Sequence, residues 1–464
     1  MQRKSFNPDP SLVSGIEIEG DGCHDPTSIE ILFMSLFYIF FAVSIGALML
    51  YRLARGDLAS IPVLLVSLMM LVAWLAWHQI YYSPYAMLWS KYGAYYYGEQ
   101  NLWYFTMICG LYLLAYVTAI VSTPQRNFRE RMRRAIQGIR SQSLTIAAFF
   151  LVLFAIYHIS ILNTEILWST QNYLEIASIR GLNSITPLNV LVQMLSKYVG
   201  VFSFICLGVS IVTRNKLAIA MSIIPATWFM LFDIAGHSRF AVVHAGVLAS
   251  ILLFDSRASS KFLGFIFLGL AFLNLINALA GRSSGSHGLS SLTDFFTYAA
   301  NVFTADLGRL FGNVFEGAFV QGEVFMYENV QHDPLYKWLS LSPFPSSIDG
   351  FAHRARHMTF SFVSFVPMSA TGEAYLFGLP YAAVYYLVVF TAYFMTVRAM
   401  RLGKIGLFFP MFMSVTLATY LQFSYPIRNV FRFFILAILI YTGSSIWRQL
   451  RKPLVIISQK NRHL

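Results

Sequence analysis

Residues 125–162 read QRNFRERMRRAIQGIRSQSLTIAAFFLVLFAIYHISIL, and the fold follows from the junction inside that stretch. Arg126, Arg129, Arg131, Arg133, Arg134 and Arg140 crowd its first part, whereas Leu144 to Leu162 contains no Asp, Glu, Lys or Arg. An apolar run of about 20 residues matches the hydrocarbon thickness of a bilayer. Arginines collect on the cytoplasmic side of such a run. The rest of the chain repeats the pattern. Of its 464 residues 57% are hydrophobic and 12% are charged, far from a soluble domain's share of roughly 25% charged residues. The expected fold is all-α, a polytopic helical bundle in a membrane.

About eleven spans are expected: Ile31–Tyr51, Ile61–Tyr82, Leu102–Ser122, Leu144–Leu162, Leu188–Val212, Leu217–Ala235, Phe240–Phe254, Phe262–Ala280, Tyr375–Val397, Ile405–Phe423 and Val430–Trp447. Every second connection is basic. These are Arg52 and Arg55, the arginine cluster above, Arg214 and Lys216, Arg257 and Lys261, then Arg398, Arg401 and Lys404, and the tail from Arg448. Strict alternation assigns all of them to the cytoplasmic side, with an acidic amino terminus outside. The net charge of +12 is then a matter of lipid headgroups, and no nucleic acid partner is needed. The first apolar run is too long for a signal-peptide core and reads as a retained span. Cys23, Cys109 and Cys206 have no metal-ligand spacing, and no Walker motif, Rossmann glycine pattern or His/Cys cluster occurs.

One membrane domain spans residues 1–464, with a single long connection at 281–371. That loop opens on the flexible stretch Gly281–Gly288 and continues through an amphipathic portion, Leu292–Phe325. It then passes two turn-rich points, Asp333-Pro334 and Pro343-Phe-Pro345, and closes with His353, Arg354, Arg356 and His357 among aromatics. Loops of such length are often functional, and this one is expected outside, with short helices. A second outside loop holds Glu165, Glu175 and Arg180, and the aromatic run Tyr81–Tyr97 reads as an interface belt or a sugar-stacking platform.

The remaining charges carry the chemistry. Arg239 follows Gly236-His237-Ser238 at the start of the seventh span, where a helix amino terminus already favours an anion. Its planar fork suits phosphate oxygens, and the alternative is a snorkelling side chain. Arg428 and Arg432 follow Pro426 at a spacing that puts both on one helix face. They either meet a phosphate-bearing substrate or pair with a carboxylate. Arg282, Arg354 and Arg356 add cations from the loop. Glu373 stands as a helix-capping acid or a general base, with His353 and His357 as rival bases. Asp233 and Lys197 are buried polar candidates satisfied within the bundle.

Phe232-Asp-Ile-Ala-Gly-His-Ser-Arg-Phe240 resembles the glycine-rich, Arg-containing span junction of the Wzy-type bacterial oligosaccharide repeat-unit polymerases. Gly372-Glu-Ala-Tyr-Leu-Phe-Gly378 is similar to that family's Gly-Glu-x-Tyr-x-x-Phe-Gly pattern, and Arg428 fits its late-span arginine. The likeness covers the order of spans and loops over residues 140–450, although the family usually carries more spans and often a small residue where Phe240 stands. The resemblance implies a glycosyltransferase of the bacterial inner membrane with its active site facing the periplasm. Its substrate would be an undecaprenyl-diphosphate-linked oligosaccharide, and its other contacts membrane lipids and a chain-length regulator protein. Glu373, His353 and His357 would be catalytic. Arg239, Arg282, Arg354, Arg356, Arg428, Arg432, His237 and Tyr375 would hold diphosphate and glycan. No cofactor or metal is expected. An O-antigen-ligase-like transferase and a flippase or transporter of lipid-linked glycan stay open as alternatives.

Overall fold

The computed structural model describes residues 28–82, 98–124, 128–238, 240–255, 257–280, 287–294, 324, 333–343, 351, 354–355 and 368–460. Helices α1 (Ser28–Ala54), α2 (Ile61–Tyr82) and α3 (Gly98–Ser122) come first, then a short α4 (Phe128–Gln137). Next are α5 (Ser141–Ile161), the single-turn α6 (Thr164–Trp168) and α7 (Tyr173–Ile176), and α8 (Pro187–Thr213), α9 (Lys216–Ala235), α10 (Phe240–Phe254) and α11 (Ala258–Ala280). After the long connection come α12 (Pro334–Ser340), α13 (Ala370–Leu376), α14 (Leu379–Arg401), α15 (Ile405–Leu421) and α16 (Ile427–Lys460). Among the described residues there is no strand, only isolated bridges of Leu162 with Leu182 and Thr170 with His287.

Seven of these helices are long and apolar enough to cross a membrane, and four shorter apolar helices stand at Leu58–Trp74, Phe240–Leu253, Ala258–Ala271 and Leu407–Leu421. Their surfaces suit lipid. On α5, Ile146, Phe149, Phe150, Leu153 and Ile156 are exposed, while Ala148 and Ala155 are buried. Water would favour the reverse. In hydrocarbon there is no gain from hiding Phe and Leu, and small residues instead let helices approach.

The helices pack as two groups. In the first, α1–α3 and α14–α16 share one core that runs from Tyr38 to Ala437. In the second, α5 and α8–α11 pack around smaller clusters that include Ile161, Phe232, Cys206, Phe204 and Leu248. Helix α4 joins them, with Phe128 in the first core and Ile136 in the second. Basic connections bond to neighbouring ones: Arg401 donates to the Thr123 carbonyl (2.8 Å), and Asn215 to that of Ser141 (3.1 Å). Arg257 likewise reaches the carbonyls of Ile211 and Val212 (3.1 and 3.0 Å).

The ninth expected span is corrected. Its stretch from Tyr375 does not form one helix, because Gly378 has φ +87° and Pro380 stands in the first turn of α14 without an N–H to continue a ladder. Residues Ala370–Leu376 are therefore a separate helix, and Glu373 lies off the span. The last helix starts at Ile427, directly after Pro426, ahead of the expected Val430. Most of the 281–371 loop, with its amphipathic portion, lies outside the described residues, as do residues 83–97 of the aromatic run.

Candidate functional site

Two polar nodes form where the long connection meets the bundle. The first is built from α12, α13 and the start of α16. Asp333 accepts from the Leu335 N–H (2.9 Å) and Pro334 occupies the first turn, so the pair caps and opens α12. Ser369 caps α13 by accepting from the Gly372 N–H (2.9 Å). The α13 cap is thus already supplied, and the Glu373 side chain turns elsewhere. Its Oε2 accepts from the Ile427 N–H (2.7 Å), one of the orphan donors at the amino terminus of α16. Its Oε1 accepts from the Tyr336 hydroxyl (2.5 Å). Glu373 is a capping residue, but for a helix more than fifty positions away in the chain.

Burial pushes the Glu373 carboxyl up to about 7, against the opposing pull of the Tyr336 and Ile427 hydrogen bonds. A carboxyl there is half-ionised near neutrality, which is the poise a general base needs. Arg428, the next residue after Ile427, is 1% exposed. Its guanidinium donates to the Leu339 carbonyl and lies 4.1 Å from the centre of the Phe351 ring. Phe351 in turn stacks on Tyr336, with ring centres 5.0 Å apart. Carboxyl, phenol, phenyl ring and guanidinium therefore follow one another around a closed circuit. Lys337 donates to the Phe377 carbonyl (2.5 Å) and sits 5.7 Å over the Tyr381 ring. The hydroxyl of Tyr104 reaches the Thr371 carbonyl (2.9 Å) and Tyr386 (2.7 Å), and its ring meets Tyr375 edge-on at 5.7 Å.

Arg354 pairs with Asp333, the α12 cap, and this hydrogen-bonded guanidinium holds the Asp333 carboxyl below its ordinary range. Arg432 is half-buried one turn beyond Arg428. Of the candidate residues, the structure thus brings Glu373, Arg428, Arg354 and Tyr375 to one end of the first helix group. Arg239, Arg282, His353, Arg356 and His357 lie outside the described residues.

The second node surrounds the α9–α10 turn. The Ser238 N–H returns to the Asp233 carbonyl (2.8 Å) and the His237 N–H to that of Ile234 (3.0 Å), the paired bonds of a Schellman ending. The residue that must turn left-handed in this motif is His237, at φ +44°. Glycine is the usual occupant; a non-glycine residue held there costs about 1–3 kcal/mol. The His237 ring is buried against His287 (4.9 Å) and Tyr173 (6.5 Å). His287 pairs its backbone with Thr170 in both directions (2.8 and 2.9 Å), and the Gly288 N–H reaches the Ala235 carbonyl (3.2 Å). Burial lowers the His287 pKa. Three segments distant in sequence therefore meet at this turn. Beneath it, Asp233 Oδ2 lies 3.0 Å from His244 Nδ1, with both side chains buried. Lys197 places its ammonium 5.3 Å over the Phe240 ring.

Sequence reasoning missed Tyr336, Phe351, His244 and His287. The first had a usable signal, since Asp333-Pro334 is a helix-start signature and predicts α12 with Tyr336 in its first turn. The others are joined to their nodes only by tertiary contacts. The first node thus places a buried guanidinium and a carboxyl raised to about pKa 7 at one end of the first helix group, in an all-helical protein with seven helices long and apolar enough to cross a membrane. No family model, curated protein or solved structure matches the chain.

Proposed function

We propose that this protein is a membrane glycosyltransferase that polymerises lipid-linked oligosaccharide repeat units. In this reading all eleven apolar helices cross the bacterial inner membrane, and the 281–371 loop and both nodes face the periplasm. The growing glycan leaves undecaprenyl diphosphate and joins a hydroxyl of the incoming lipid-linked unit. The observation that carries the reading is the Glu373–Tyr336–Phe351–Arg428 chain of contacts, which places a buried carboxyl and a buried guanidinium in one node at the start of α16.

Each part of the reaction has a group suited to it. As the sugar–oxygen bond breaks, negative charge grows on the diphosphate, and fixed cations aimed there lower the barrier. Arg428 and Arg432 on α16 and Arg239 at the α9–α10 turn supply them, with Arg282, Arg354 and Arg356 from the loop. The acceptor hydroxyl must lose a proton. Glu373 Oε1 already takes a hydrogen bond from one hydroxyl, that of Tyr336, at 2.5 Å. An acceptor hydroxyl that displaced Tyr336 would meet the same oxygen in the same way, and His353 and His357 are the other candidate bases. The lipid diphosphate is an activated leaving group, so no nucleotide is called for.

Surface glycan from cells lacking the protein tests the assignment. A single repeat unit on the acceptor is the expected gel pattern. Absence of any unit would replace polymerisation by ligation or lipid-linked glycan export.

A further inference from the structure

The connection between α5 and α8 shows apolar side chains both to the protein core and to its surroundings. Inward, Leu167, Ile176 and Leu182 pack into the cluster that holds Ile161 and Phe232. Outward, Trp168, Leu174 and Ile185 are 63%, 60% and 71% exposed. A loop in water has reason to carry only the first set. The second set runs on into a lipid-suited helix face: beyond Ile185, the residues Leu188, Leu191, Leu195, Tyr198 and Phe202 are exposed along α8 at helical spacing. Backbone placed against lipid must find its hydrogen bonds within the protein, and this segment does so by folding back on itself. The Asn163 N–H donates to the Gly181 carbonyl and the Asn183 N–H to that of Ile161, both at 2.9 Å. The Asn163, Asn172 and Ser178 side chains cap the short turns that follow them, accepting from the N–H groups of Glu165 (3.0 Å), Leu174 (3.1 Å) and Arg180 (3.1 Å). Gly181 lets the chain close this tightly, because a Cβ there would lie 2.6 Å from the Ile176 carbonyl oxygen. One run of donors ties the segment to the bundle. The Trp228 indole donates to His158 Nδ1 (3.0 Å), so the ring's proton sits on Nε2 and is donated to Gln193 Oε1 (2.9 Å). Gln193 Nε2 then donates to the Ile176 carbonyl (3.0 Å).

We infer that residues 163–187 form a shelf that lies in the membrane interface, with its exposed apolar side chains among lipid acyl chains. The inference does not depend on the chemistry proposed above. Glu165 and Arg180 are exposed on the same segment, and such a mixture of apolar and charged groups suits the boundary between headgroups and acyl chains rather than the hydrocarbon centre. Trp168 is of the residue type that collects at that boundary. The passage into the α8 face favours lipid as the occupant over a protein partner, which would have to cover that face as well.

Spin labels on the full-length protein in phospholipid nanodiscs test it, with Cys23, Cys109 and Cys206 replaced by serine. One label is placed at a time through Trp168→Cys, Leu174→Cys or Ile185→Cys, and Leu191→Cys on α8 is the lipid-facing reference. Each label should collide more often with oxygen, which concentrates in lipid, than with a water-soluble nickel chelate, as the reference label does. A ratio favouring the chelate at two or more of the three positions would put the segment in water and overturn the inference. Labels that meet neither reagent would be covered by protein, a second copy or another partner, and would overturn it as well. Should the cysteine-free protein fail to fold, native protein and Trp168→Phe are compared in vesicles of phosphatidylcholine brominated on its acyl chains. The emission that Trp168→Phe removes should be quenched by the bromines, and unquenched emission overturns the inference.

Discussion

The two nodes bury a carboxyl in different ways. Glu373 is surrounded, among the described residues, by neutral donors, a phenol and a backbone N–H, and its pKa rises to about 7. Asp233 instead lies 3.0 Å from the buried imidazole of His244 on the next helix. Glu373 thus ties α12 and α16 to α13 through directed hydrogen bonds, whereas Asp233 meets a side chain across the turn between two consecutive helices. Under the proposed function the first node carries the group suited to exchange a proton.

The largest expected effect comes from Arg428. Arg428→Ala removes a buried guanidinium from both the Leu339 carbonyl and the Phe351 ring. Loss of a donor aimed at developing charge lowers rate by about 10²–10³. Polymer should vanish from gels while the protein remains in the membrane. Arg428→Lys keeps the charge but loses the planar group over the ring, and should restore only part of the activity. Normal polymer in the alanine variant would leave Arg428 as a structural brace and shift the weight to the second node.

Glu373 comes next, and its sign can be worked out. Its folded pKa, about 7, lies above the ordinary 4.5. Between those values the folded protein binds more protons than the unfolded chain, so stability falls as pH rises through this window and levels off above it. Wild-type melting temperature should therefore drop between pH 5 and 8, and Glu373→Gln should remove that slope. Activity should move the opposite way, rising with pH through about 7 as the base ionises, with Glu373→Gln low and flat. A wild-type profile without an inflection near 7 would take the base role from Glu373 and give it to His353 or His357.

The sequence made the bundle legible and left the nodes obscure, for a physical reason. Apolar length and arginine placement are local properties, so helices appear at each expected stretch. The break before α14 was visible in Gly378 and Pro380, but an apolar window averages across such punctuation. From sequence, Glu373 reads as either cap or base. That it caps α16 depends on folding, because Ile427 lies far along the chain. His237 illustrates the same limit. Gly236 beside it suggests the left-handed position, yet the backbone places the positive φ on the histidine.

The smallest effect sharpens the comparison at the rim of the first node. Arg354 and Asp333 are 41% and 33% exposed, so their attraction is screened by water and salt. Such pairs add little to stability. Arg354→Ala should shift the melting temperature little, and less still at high salt. Asp333→Ala also removes the cap that starts α12, and an unreplaced cap destabilises the helix start. Asp333→Asn keeps a capping oxygen without the charge and should resemble Arg354→Ala. The order expected in thermal melts is therefore Asp333→Ala lowest, with Asp333→Asn and Arg354→Ala together near wild type. Should Arg354→Ala abolish polymer without moving the melt, its partner in the working enzyme is the substrate's diphosphate rather than Asp333, and the anion site extends from α16 into the loop.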